Sequence, residues 1–190
     1  MTNIKKTEFL LNSLKILKPK LYKKMIHTGR LFEFLIEKKH LSEKEIKDYV
    51  SASYLCNIGF LSLEESLLKD HTRAERINIV KRHVKVSKNY LTRTGFTQLA
   101  KIVELHHEYP NGLGYFKEQQ SNKLIGYINI ADEFIDLTIE YFNYDQVLTL
   151  DEAIEEITRR YKNNSLFKNP EMIKIRADLT EYYERFIINV

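Results

Sequence analysis

Glycine and proline are scarce in this chain of 190 residues, six and three respectively. So few turn-formers disfavour a fold of many short strands and favour long helices. A single cysteine, Cys56, excludes an intramolecular disulfide, so nothing demands an oxidising compartment and a reducing cytoplasm is the expected location. Long apolar runs are missing as well. The early run Phe9-Leu10-Leu11 is broken by Asn12 and Ser13 and followed by Lys15 and Lys18, too short for a signal-peptide core or a membrane span. No membrane association is expected. Neither sign of charge dominates, the formal net charge being +4. The densest basic segment, Lys15 to Lys24 with Lys18, Lys20 and Lys23 between, reads as a solvated helix face. No nucleic-acid motif accompanies it, so nucleic acid is not an expected partner.

What is present suits one globular domain. Hydrophobic residues make up 43% and charged residues 29%, which argues against disorder and provides for one sizeable core without staples. No repeat or low-complexity linker divides the chain, so residues 1–190 are expected to form a single domain, 1–20 an N-terminal helix and 21–190 the core.

Helical spacing recurs along the sequence. Ile4, Leu10 or Leu11, Leu14 and Leu17 mark a first helix up to Pro19, and Leu21, Met25, Leu31, Phe34 and Leu35 a second. Ser42 with Glu45 three residues on forms a capping box for a third, stopping near Gly59. A helix from about Thr72 to Gly95 follows, then one from about Thr97 to Tyr109, and a long one from Asn122. Thr149 with Glu152 caps the next, and Asn169-Pro170 opens the last. No segment alternates at period two, so the expected architecture is an all-α bundle.

Candidate functional residues lie on these apolar stripes. His106 and His107 stand before Pro110, Gly112 and Gly114, so two imidazoles meet the mouth of a compact loop. His27 shares a stripe with Leu31 and Phe34, and His83 one with Ile79 and Val86. A single histidine on an apolar face is usually a hydrogen-bonded core residue, so the series carries more than any member. Asp132, four residues after Ile128 and three before Ile135, puts a carboxylate inside an apolar stripe, where it needs a cation or strong donors.

His27, Cys56-Asn57-Ile58-Gly59-Phe60, His83, His106-His107-Glu108 with Asn111-Gly112-Leu113-Gly114-Tyr115, and Ala131-Asp132 together resemble the HD-GYP family of the HD superfamily, in order and spacing. The flanks His83-Val84-Lys85-Val86-Ser87 and Leu166-Phe167-Lys168-Asn169-Pro170 extend the resemblance. It implies an all-helical domain that hydrolyses cyclic di-GMP with two or three divalent ions. One ion would draw on the counterparts of His27, Cys56, Asn57 and Asp132, another on those of Asn57, His83, His106 and His107. Gly112, Gly114 and Tyr115 would form the ligand-binding loop.

The chain also departs from that pattern. Cys56-Asn57 stands where the family has His-Asp, Phe60 where it has a phosphate-contacting lysine, and Lys23 where it has an acid before the first histidine. Asn111 and Phe116 replace an Asp and a Pro in the glycine loop, and Tyr141-Phe142-Asn143-Tyr144 replaces an Arg-Pro-Tyr-Arg segment. A neutral amide seldom bridges two ions, so efficient two-metal hydrolysis is not expected. The reading favoured is a degenerate signalling domain that binds a cyclic dinucleotide or other phosphoester, or a protein partner, with at most one ion (Zn, Fe or Mn) at His83, His106 and His107. The alternatives are a divergent metal-dependent phosphohydrolase with Cys56 as thiolate ligand, and an interaction module whose candidate ligands are relics.

Overall fold

Short polar side chains set where the helices of this chain begin. Ser42 and Glu45 exchange hydrogen bonds, Ser42 N to Glu45 Oε2 at 2.9 Å and Glu45 N to Ser42 Oγ at 3.4 Å. Thr72 with Glu75 and Thr149 with Glu152 repeat the arrangement. Each pair satisfies amides that have no partner within the helix. Asn122 Oδ1 does so by accepting from Leu124 N at 2.8 Å, and Pro19 starts another helix with its fixed φ.

The computed structural model describes residues 3–39, 41–63, 72–139, 147–162 and 166–188. Among these lie eight α-helices: α1 (Asn3–Leu17), α2 (Pro19–Ile36), α3 (Glu43–Leu55), α4 (Arg73–Arg93), α5 (Thr97–Glu104), α6 (Lys123–Thr138), α7 (Leu150–Lys162) and α8 (Asn169–Phe186). Short 3₁₀ turns cover Glu37–Lys39 and Ile58–Ser62. No strand occurs among the described residues, only an isolated bridge between Tyr109 and Gln119. The expected all-α architecture is therefore the observed one. The segment Tyr141–Tyr144, which departs from the HD-GYP pattern, lies outside the described residues.

Two helices organise the core. α2 packs against α1, α3, α6 and α8, and α6 is buried without interruption from Ile125 to Ile135. A helix buried all round has no solvated face, so Asn129, Asp132 and Glu133 must find partners inside the protein. On the other side, α4 packs on α5 and on the 3₁₀ turn after α3. The candidate site lies where these two groups meet.

Three expectations need correction. α1 buries Leu11 and Leu14, but Leu17 is 72% exposed, because Pro19 turns the chain before that position reaches the core. Lys24, counted with a solvated basic face, is 1% exposed and lies inside the protein. The helix expected to reach Tyr109 ends at Glu104, five residues early, because the amides that follow bond three residues back instead of four.

Candidate metal centre

At the end of α5 the backbone tightens: Leu105 N bonds to Ile102 O at 3.2 Å and His106 N to Val103 O at 3.4 Å. His106 Nδ1 bonds to the same Val103 carbonyl at 2.6 Å. The last amides reach carbonyls three residues back instead of four, which closes the α-helix before Pro110. Both histidines consequently sit in the turn, His106 fully buried and His107 nearly so. The loop beyond folds back on them. Tyr115 N donates to His107 O at 3.3 Å, while the buried Glu108 carboxylate accepts from Phe116 N at 2.8 Å and Glu118 N at 2.9 Å. Gly112 takes a positive φ of 68°. At Gly114 a Cβ would stand 2.4 Å from His107 O, so only glycine lets the loop close this tightly.

His83 arrives from α4, its Nδ1 bonded to Val80 O at 2.6 Å. A carbonyl can only accept, so His83 and His106 both carry their proton on Nδ1. Their Nε2 atoms face each other at 3.4 Å. In the neutral rings these are two lone pairs pointing together, and no hydrogen bond can form between them. Protonation does not relieve the contact. Burial first, then the neighbouring imidazoles, hold the His83 pKa well below 6.5, and burial followed by His107 pulls His106 down to about 3. His107 completes the group: the three rings offer ligand atoms within 4.8 Å of one another. Its Nδ1 accepts from Asn129 Nδ2 at 3.3 Å, and Asn129 Oδ1 accepts from the Tyr161 hydroxyl of α7.

Asp132 on α6 divides its two oxygens between two neighbourhoods. Oδ1 accepts from Asn57 Nδ2 at 2.5 Å and Thr28 Oγ1 at 3.4 Å, and lies 3.3 Å from Lys24 Nζ. Oδ2 lies 3.4 Å from His107 Nε2, yet both atoms are buried with no hydrogen-bond partner, and Asn57 Oδ1 shares that condition. Burial alone would raise the Asp132 pKa, but Lys24 and then His107 outweigh it and hold the carboxyl well below its ordinary value. Lys24 Nζ is also ion-paired with Asp136, whose side chain is 39% exposed. For the ammonium too, burial works toward the neutral form and the two carboxylates overcome it, keeping it charged.

Aromatic rings wall the centre. Phe60 stacks on His83 with centroids 4.4 Å apart, and Tyr115 stacks on His107 at 4.3 Å. Lys24 Nζ lies 5.3 Å from the Phe60 centroid and Lys81 Nζ 5.5 Å from that of Tyr115. Ser87 joins α4 to the turn after α3, accepting from Gly59 N and donating to Cys56 O, both at 2.8 Å.

Of the residues singled out from sequence, the structure brings together His83, His106 and His107, with Asp132 and Asn57 beside them and Gly112, Gly114 and Tyr115 in the covering loop. Cys56 lies next to Asn57 but is engaged otherwise. Its thiol donates to Ser53 O at 3.3 Å, and burial, then Asp132, push its pKa well above the ordinary value, so it stays protonated. His27 is turned to α8, its Nδ1 3.2 Å from the Tyr182 hydroxyl. Sequence reasoning missed Lys24, Thr28, Ser87, Asn129 and Tyr161. The i, i+4 relation between Lys24 and Thr28, which puts both on one face of α2, was an available signal for these two.

The donor set fits a divalent ion. Two opposed lone pairs, a third imidazole and a bare carboxylate oxygen are what a cation would satisfy, and neutral imidazoles need no deprotonation to bind one. The Asp132 Oδ1 side is different, since its donors already include an ammonium.

The sequence matches the HD domain family over residues 8–166, and the chain belongs to that family. Its fold is similar to the crystal structure of the HD domain of the L. monocytogenes phosphodiesterase PgpH in complex with cyclic-di-AMP, with a TM-score of 0.69 and 15% identity over 95% of this chain and 98% of that one. A second crystal structure of the PgpH HD domain gives 0.66 and 17% identity, covering 92% and 97%. At these identities the likeness speaks for the fold. No curated protein matches the sequence. Among the described residues no helix is long and apolar enough to cross a membrane.

Proposed function

We propose that this chain is a cytoplasmic, degenerate HD-GYP-like signalling domain spanning residues 1–190, which holds one divalent ion at His83, His106 and His107 and binds a phosphoester of the cyclic dinucleotide class without turning it over efficiently. The observation that carries this reading is the pair of Nε2 lone pairs opposed at 3.4 Å, with both Nδ1 atoms committed to carbonyls. An ion there would supply Lewis-acid polarisation of a phosphoester oxygen. The rest falls to the chain. Tyr115, seated on His107, and the glycine loop around Gly112 and Gly114 present the face a base or ribose would meet, with Lys81 beside the ring. Asn57 supports weak or absent hydrolysis, because it donates to Asp132 where a second carboxylate would help fix two ions. Phe60 adds to this, since it offers a ring to His83 and no charge to a phosphate. A protein partner would read the liganded state.

Elemental analysis of protein purified without chelator or metal-affinity resin tests the reading, together with incubation of metal-loaded protein with cyclic di-GMP and cyclic di-AMP. One zinc, iron or manganese per chain and turnover far below about 1 per second are expected. The fold shared with PgpH, a phosphodiesterase that the comparison crystal structure holds with cyclic-di-AMP, favours the second reading, a divergent phosphohydrolase. Turnover at about 1 per second or faster would establish that reading and overturn ours. A metal-free protein that stays metal-free on titration would leave only an interaction module.

A further inference from the structure

Buried lysines are rare, and Lys24 is buried between two carboxylates at the edge of the histidine centre. Its Nζ is 3.3 Å from Asp132 Oδ1 and ion-paired with Asp136, with the Phe60 ring near it. The surroundings are richer in electron donors than one ammonium requires. Asn57 Oδ1 is buried without a hydrogen-bond partner, and the Cys56 sulfur accepts from Asn57 Nδ2 at 3.3 Å. Two carboxylates face the one ammonium, and beside Asp132 stand an amide and a sulfur, the ligand types of a cation site. The positive charge is covalently attached to α2. Asp132 reflects this asymmetry, its Oδ1 taken by Lys24, Asn57 and Thr28 and its Oδ2 bare toward His107.

We propose that Lys24 is the resident cation of the Asp132–Asp136 half of the centre: its ammonium fills the place of a divalent ion there and limits the protein to the single ion at the three histidines. The proposal deepens the one-ion reading above and rests on it only for the total count. An ammonium balances one negative charge and cannot be lost to a chelator, so this half keeps its shape at any metal concentration. Its three donors per nitrogen also satisfy oxygens that would otherwise be buried bare. The α2 chain thus supplies permanently what a second ion would supply reversibly.

The test is metal stoichiometry, measured by titrating chelator-stripped protein with Mn(II) and counting bound ions. Wild type is expected to saturate at one, and K24A at two, because the vacated carboxylate pair takes the second. K24R, which keeps the cation, is expected to stay at one. Wild type saturating at two, or K24A binding no more ions than wild type, overturns the proposal. K24A that fails to fold even in millimolar Mn(II) overturns it too, since a carboxylate pair able to accept the ion would be restored by it. The two readings separate cleanly. Wild type at zero with K24A at one removes the histidine site and keeps the role of Lys24, whereas one ion in both does the reverse.

Discussion

Replacing Asp132 with asparagine removes a unit of charge from the middle of α6 and almost no volume. The new amide oxygen still faces Lys24, Asn57 and Thr28, but all three lose the charge assistance of a carboxylate, and the new NH₂ group turns toward His107 Nε2. Charged hydrogen bonds contribute about 1.5–3 kcal/mol and neutral ones about 1, so the Asn57 bond loses roughly 0.5–2 kcal/mol and the Thr28 bond, long at 3.4 Å, little, which puts the pair at roughly 1–2 kcal/mol. Removing the only partner of a buried ion costs about 3–5 kcal/mol, and since Lys24 keeps Asp136 roughly half of that applies. The sum is roughly 3–4 kcal/mol. For a chain of this size each kcal/mol moves Tm by about 2–4 °C, so a drop of about 10 °C is expected at pH 7 in chelator. Asp136→Asn is the internal comparison. With its side chain 39% exposed, water substitutes for much of the lost charge, and roughly 1 kcal/mol is expected. Urea denaturation and thermal melts followed by circular dichroism measure both variants. Asp132→Asn within 1 kcal/mol of wild type, or costing less than Asp136→Asn, would refute the reasoning, because Lys24 would then not depend on Asp132.

His83→Ala and His106→Ala should each abolish stoichiometric metal binding, and an ion that survives both by elemental analysis lies somewhere else. Saturating metal at about 100 times its Kd should stabilise wild type by about 2.7 kcal/mol and leave both variants unmoved in the same melts. In metal-free protein His106 folds with a pKa of about 3 against the ordinary 6.5, so between these values the unfolded chain binds more protons than the folded one. Stability is then complete above pH 6.5 and falls as pH drops toward 3, by an upper bound on the order of 5 kcal/mol. Urea midpoints identical at pH 7 and pH 5 would contradict this. Gly114→Ala should cost about 1–3 kcal/mol by pressing a methyl group on the His107 carbonyl, and its melting curve should show it.

Local chemistry made much of this fold legible in advance. Ser42 with Glu45 and Thr149 with Glu152 are cues confined to four residues, and the structure uses both as caps. Asp132 stood out because a carboxylate on an apolar stripe needs partners, and it has them. The partners themselves were harder to foresee. Lys24 pairs with Asp136 across 112 residues and His27 with Tyr182 across 155, and no periodicity encodes such a distance. Lys24 also sat in a run of lysines whose other members are exposed, so composition pointed the wrong way. The early end of α5 was hidden for another reason. The amides of Tyr115, Phe116 and Glu118 bond back to His107 and Glu108 and hold a turn there, contacts between loop residues that helix propensity does not register.

The amide of Asn129 connects His107 to α7. As it stands, Asn129 Nδ2 donates to His107 Nδ1 while Oδ1 receives the Tyr161 hydroxyl, which fixes the His107 proton on Nε2. A cation on Nε2 requires that proton on Nδ1 instead, and the amide must then turn over to offer its oxygen to the ring. The NH₂ group next faces Tyr161, whose hydroxyl can no longer donate there and has the Gly126 carbonyl, 3.5 Å away, as its other acceptor. Loading the centre would thus reverse the polarity of both hydrogen bonds from His107 to α7. The Tyr161 hydroxyl would then redirect one proton without any large displacement, so α7 would differ between the empty and the loaded centre.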